Sequence, residues 1–418
     1  MQAKTDNRNQ FVDIMRGIAM LLVVLGHTMT GCTVDSQRSF LFNIIWSLQM
    51  PLFILISGYV TKYSRPISDG KGLWKYVKRR TVAYMLPWAV WSFLVRGIIF
   101  GEKGFLNVKH LLWNMDSGYW FLATIWTISM IFGIASFIAE RLSKESVLKK
   151  QIVLLGCYLA GMVLLVGIGA ILGLSFFAIK LTLYYMPFYY AGFLYGQFDD
   201  KIKESETGKK IIDSVVAICF VVWLFVILRF SLYEMSDGGF AIILRAATSL
   251  AGCIAVCGLC KGIFSSKIGG GYSCMGRRAL VGSVPYALSA SQLNQVGQSA
   301  NSIQSGGAKH GSGQLYDYGG TYCDGNSDDE PKCHAEICIN RKEKVSEFFL
   351  WAGKQSLEIY MMHGLLLNIF KSSVAIQFSS IAGYLLTAGN FALTIGLCAV
   401  VIRLLNQNAV LKKVLNIR

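Results

Sequence analysis

Apolar runs long enough to cross a bilayer recur ten times along this chain of 418 residues, and that repetition leaves few folds open. The runs fall at about 11–30, 40–60, 82–100, 119–139, 152–171, 176–197, 211–230, 239–262, 347–370 and 382–405. A hydrocarbon core needs roughly 20 predominantly apolar residues per spanning helix. With no water there to satisfy backbone groups, such a run must coil into a helix. The expected fold class is therefore all-α: a polytopic membrane protein of about ten transmembrane helices. Composition agrees, since 54% of residues are hydrophobic and only 15% charged, whereas a soluble chain carries about 25%. The polar start MQAKTDNRNQ leads into the first run without a small-residue cleavage site, so that run reads as a retained helix.

The formal charge of +16 has a topological reading that outweighs nucleic-acid binding. Lys and Arg cluster after the second, fourth and sixth runs (Lys62 to Arg80, Arg141 to Lys150, Lys201 to Lys210) and in the tail at Lys412, Lys413 and Arg418. The alternate loops are poorer in them. Positive-inside orientation then places both termini in the cytoplasm, in the plasma or inner membrane. One region departs from the pattern. Residues 263–345, between the eighth and ninth runs, are polar and rich in Gly, Ser, Gln and Asn, which predicts a mobile cytoplasmic insertion between core segments 1–262 and 346–418. Its Cys274, Cys323, Cys333, Cys338, His310 and His334 match no common zinc spacing, and no metal site is expected. Eleven cysteines in apolar helices or cytosolic loops read as reduced thiols rather than a disulfide framework.

Chemistry is first suspected in the opening run, FVDIMRGIAMLLVVLGHTM. Ionisable groups are costly in hydrocarbon and mark functional sites there. Eleven steps from Arg16 to His27 return within about 20° of whole turns, and Asp13 lies about 60° from Arg16, so the three share a helix face. Arg16 and His27 are separated by about 16 Å along the axis. His27 suits a general base, although an interfacial hydrogen-bonding role fits it too. In LQMPLFILISGYV, Pro51 frees a carbonyl and Ser57-Gly58 permits close packing. Lys78, Arg79 and Arg80 set topology and have the chemistry to hold phosphates of an anionic cofactor or lipid. The aromatic stretches 118–126 and 184–196 read as interfacial belts or as stacking platforms for sugar rings. Cys253, Cys257 and Cys260 share a face as small residues at a helix contact. In SLEIYMMHG, Glu358 and His363 lie about 140° apart, while His363, Tyr360 and Ser356 form a polar strip.

In this order, these segments resemble the acyltransferase-three family of integral membrane O-acyltransferases, in particular its fucose 4-O-acetylase-like branch. The resemblance rests on the Arg-x10-His spacing of the first run, MPLFILISGY, the basic KRR, YWFL, MPFYYAGFLYG and SLEIYMMHG, and it covers residues 8–262 and 346–405. The long 263–345 insertion departs from it. The resemblance implies transfer of an acyl group, usually acetyl from acetyl-CoA as co-substrate with no bound cofactor, onto a hydroxyl of an envelope glycan or lipid-linked sugar. It maps the functional pair onto Arg16 and His27, the basic pair onto Arg79 and Arg80 with Lys78 beside them, and a late acid onto Glu358. Asp13 would steady Arg16. Two rivals remain from the sequence: a glycan or lipid transporter using the polar stripe as its path, and a non-catalytic protein whose insertion recruits a partner.

Overall fold

The structure, a computed structural model, describes residues 9–115, 118–143, 146–203, 205–235, 238–281, 345–367 and 375–407, with side chains left out at 199–203 and 263–281. Every regular element among them is helical. The main unit is built from 1–262 and 344–418. Of 263–343, only the helical run to Val281 is described, so the expected character of the insertion, with its cysteines and histidines, lies outside the described residues.

Two helices at the heart of the unit, α1 (Gln10–Cys32) and α2 (Phe40–Tyr59), form an antiparallel hairpin. Asn9 and Ser39 cap them, their side chains accepting from Phe11 N and Phe42 N. A third helix, α3 (Gly70–Ala89), carries Pro87, and past it the chain continues as a widened π-helix over Val90–Ile99. Proline has no N–H to give and its ring crowds the carbonyl one turn back, which explains a change of helix type there. Next come the short α4 (Val108–Trp113), then α5 (Trp120–Leu142), α6 (Val147–Leu172), α7 (Ile179–Lys203), α8 (Glu206–Arg229) and α9 (Gly239–Val281). After the insertion follow α10 (345–354), α11 (Ser356–Leu367) and α12 (Ile381–Gln407).

Eight helices among the described residues are long and apolar enough to cross a membrane. The other two expected spans take a different form. The sixth is the 25-residue α7, whose tyrosines and charged end lower its hydropathy. It needs no lipid-loving surface, because Tyr185, Met186, Phe188, Tyr189 and Phe193 are buried against its neighbours. The ninth is broken by a turn at Gln355 into α10 and α11. The third starts earlier than its apolar run implied: the helix begins at Gly70 behind an Asp69 cap, so the basic residues 71–80 are helical.

Close crossings hold the centre together. A Cβ on Gly58 would strike the Tyr189 carbonyl, and one on Gly192 would strike that of Leu55. The close packing expected of Ser57-Gly58 is thus the α2–α7 contact. In the same reciprocal way Gly17 abuts the Phe349 carbonyl and Gly353 that of Asp13, seating α10 on α1. Without a hydrophobic drive between helices in lipid, such backbone approach is a main source of cohesion. Cys253, Cys257 and Cys260 are buried, as a small-residue contact face requires. The outermost helices, α6 and α8, instead expose apolar side chains, with Ile171 84% and Phe225 64% accessible. Apolar faces of that extent suit lipid rather than water. This is a multi-pass membrane protein.

Candidate active site

The two ends of the bundle differ in kind. At the end holding the α1 N-terminus, aromatic rings and cations fill the space. Phe11 meets Tyr59 edge-on at 5.9 Å, and the Lys261 ammonium lies 4.2 Å from the Tyr195 ring centroid and 5.4 Å from that of Tyr59. Lys62 joins this group, 4.5 Å from the Tyr59 centroid. Such cation–π contacts stabilise desolvated ammonium groups.

At the opposite end the helices part around a cavity of about 1000 Å³. The last turns of α1 supply Val23, His27, Thr30 and Gly31, residues that recur on one helical face. From the middle of α2 come Trp46, Gln49, Met50 and Pro51, so the proline-containing stretch lines a cavity as well as packing. Gly26 lets the two helices approach here, since a Cβ on it would meet Ile45 Cγ2 at 2.9 Å and Gln49 Oε1 at 3.2 Å. The π-helical stretch after α3 contributes Arg96, held by Glu102 through bonds of 3.0 and 2.6 Å. Its guanidinium carbon lies 4.0 Å from the Phe105 ring centroid. Lys180 and Arg245 are the other cationic lining residues. Arg245 Nε donates to the Leu232 carbonyl at 2.8 Å, and its Nη2 donates to that of Met235. Among the described lining residues there is no Asp or Glu.

Aromatic rings make much of the wall. Trp120 and Tyr185 stack at 5.8 Å with planes 14° apart. Tyr184, Tyr119, Tyr360 and Trp46 complete it. The 118–126 and 184–196 stretches therefore meet at a cavity rather than only girdling the bundle. Tyr119 also ties α5 to α11 by donating its hydroxyl to the Met361 carbonyl at 3.1 Å.

His27 is the sequence-derived candidate that opens on this cavity, its side chain exposed to it. Facing it is His363 of α11, with ring centroids 5.2 Å apart. His363 is only 5% accessible, and its Nδ1 lies 3.0 Å from the Ile359 carbonyl one turn back. The polar strip noted on α11 was the signal for it and for Tyr360, 5.9 Å from its ring. Arg96, in contrast, carried no such sign in the sequence.

The remaining candidates sit elsewhere. Asp13 is buried and Arg16 half-buried near the other end of α1, by the α10 crossing, and neither lines the cavity. Glu358 is buried in α11 away from it. Lys78, Arg79 and Arg80 lie midway along α3, more than two turns before the π-helical stretch that carries Arg96. They also diverge: Lys78 and Arg79 are exposed, whereas Arg80 turns inward. Its Nη1 donates to the Tyr84 hydroxyl at 3.1 Å and its guanidinium carbon lies 5.4 Å from the Tyr76 ring centroid. Among the described residues no group of three or more His, Cys, Asp or Glu is placed to hold a metal.

Membrane helices thus enclose a cavity with a histidine pair, aromatic walls and cationic groups, and comparison with known proteins names the class. The acyltransferase-domain profile of the acyltransferase-three family matches residues 9–275, and the chain belongs to that family of acyltransferases. His27, Arg16, Asp13 and Lys78–Arg80 fall inside the matched stretch, Glu358 and His363 beyond it. The chain is similar to the nodulation protein NolL of Sinorhizobium fredii, with 25% identity over 249 residues, covering 53% of this chain and 59% of that one. It is similar also to NolL of Mesorhizobium japonicum, with 28% identity over 132 residues, covering 29% and 34%. The matches thus span less than two thirds of either relative. No solved structure matches the chain.

Proposed function

We propose that this protein is an O-acyltransferase of the inner membrane, moving an acyl group, acetyl in the first instance, from acyl-CoA to a hydroxyl of an envelope glycan. The observation that carries this reading is that His27 opens on the large aromatic-walled cavity of a chain in an acyltransferase family. A neutral imidazole at such a wall takes a proton from a hydroxyl, which contributes typically about 10²–10⁴-fold. Aromatic faces with polar edges, here Trp120, Tyr185 and Tyr360, suit the mixed apolar and hydroxylated surface of a sugar ring.

The orientation follows from the loops. If the basic ends of α2, α5 and α7 face the cytoplasm, both termini lie there and the cavity opens outward. The donor then approaches from the basic end, where Lys78, Arg79 and Arg80 would hold the phosphates of acyl-CoA. Its flexible pantetheine arm would carry the thioester along α1 towards His27. Arg16, steadied by Asp13, would orient the thioester carbonyl or a phosphate on the way. Glu358 takes the family's late acidic position, supporting α11. Positioning and charge stabilisation supply the rest of the rate.

The test is O-acetylation of surface glycan in cells making His27→Ala at wild-type level. Loss of acetyl ester is expected, and undiminished acetylation sinks the mechanism.

A further inference from the structure

We propose that His363 is a second histidine of the reaction, orienting His27 and stabilising it as that ring takes the proton of the acceptor hydroxyl. The inference rests on the acyl-transfer reading above and deepens it. The two imidazoles come from helices far apart in the chain, yet both line the cavity, with ring centroids 5.2 Å apart and planes inclined by 41°. The rings are tilted, neither stacked flat nor set edge-on.

The hydrogen bond on the far side of His363 defines its tautomer. The Ile359 carbonyl can only accept, so the 3.0 Å contact at Nδ1 is a donation from Nδ1–H. A neutral imidazole protonated on Nδ1 carries its lone pair on Nε2. That nitrogen lies on the ring edge opposite the carbonyl, in a wall residue that is otherwise buried. At this separation of centroids, one water between the rings or a small rotation of His27 joins the two by hydrogen bonding. The order is then acceptor hydroxyl, His27, His363, Ile359 carbonyl: a base with an orienting partner behind it, itself fixed by a backbone group.

The step balances as follows. The acceptor oxygen forms the new ester bond to the acyl carbon while its proton passes to one nitrogen of His27. His27 donates the N–H of its other nitrogen to His363 Nε2, so the positive charge is shared between two rings. The carbon–sulfur bond of the thioester breaks, and sulfur leaves with the electron pair. It takes the proton back to become the thiol, and both histidines end neutral. His363 acts through His27 and is a positioning residue.

The experiment uses membrane vesicles containing the full chain, radiolabelled acetyl-CoA as donor and the host's own envelope glycan as acceptor. His363→Asn keeps an amide N–H near the Nδ1 position to serve Ile359 and removes the accepting nitrogen. A fall of roughly 10²-fold in maximal rate is expected, with the KM for acetyl-CoA within about twofold of wild type. His363→Ala leaves a space in the cavity wall, and added imidazole is expected to restore part of its rate. Transfer by His363→Asn within about threefold of wild type overturns the relay, as does a loss expressed in KM and indifferent to imidazole. If His27→Ala transfers normally, the general-base reading falls as well. If His27→Ala is inactive while His363→Asn is fully active, the relay alone falls.

Discussion

The cavity end and the basic end of this bundle use charge in opposite ways. At the basic end cations are packed against tyrosines: Lys261 and Lys62 around Tyr59, and Arg80 between Tyr76 and Tyr84. The rings take the place of water around these cations. At the cavity end the helices splay, and a histidine pair lies across open space from aromatic walls. The contrast teaches that a membrane protein can hold a charge cheaply by filling the space around it, and keeps a reactive group usable by leaving that space empty. It also divides the proposed labour, with donor phosphates gripped at one end and proton transfer at the other.

That division can be broken by experiment. The largest effect is expected from His27→Ala, a loss of roughly 10²–10⁴-fold in acetyl transfer with little change in the KM for acetyl-CoA. Gly353→Leu, which drives a side chain into the Asp13 carbonyl, is expected to cost about 3 kcal/mol, read as a lowered Tm in detergent. At the cavity end the corresponding fastening is polar. Asn43 donates to the Ile227 and Phe230 carbonyls at 3.1 and 2.9 Å and accepts from Leu232 N at 3.1 Å. Asn43→Ala strands these buried groups, for an expected loss of about 2 kcal/mol in the same melting assay. Arg80→Ala is expected to raise the KM for acetyl-CoA by about tenfold while sparing the maximal rate. If instead His27→Ala changes KM and Arg80→Ala changes rate, the two ends have been assigned the wrong tasks. Smallest of all is Arg38→Gln. Its 2.6 Å pair with Glu234 is exposed, and an unchanged Tm is expected.

Much of the helical plan was legible because apolar runs of spanning length have few other outcomes in lipid. Two of the readings are instructive. Helical spacing placed Asp13, Arg16 and His27 on one face with about 16 Å of rise between Arg16 and His27, and the cavity takes in only the His27 end of that face. Lys78, Arg79 and Arg80 were read as one cluster, yet consecutive helical residues point about 100° apart, and the structure sends Arg80 inward and its neighbours out. The break at Gln355 escaped hydropathy because both sides of it are apolar. The partnership of His27 with His363 needed tertiary packing. No periodicity along a single helix records which other helix will lie opposite.

The reciprocal seating of Gly17 and Gly353 has a consequence for how the chain tolerates being cut. The main unit is assembled from two stretches of sequence, 1–262 and 344–418, and the histidine pair has one member in each. Backbone-to-backbone contact, rather than the connecting peptide, is what brings α10 and α11 onto α1. Two genes encoding 1–281 and 345–418 are accordingly expected to complement each other when expressed in one cell. Neither would transfer an acetyl group alone, and together they would rebuild the pair as an intermolecular site.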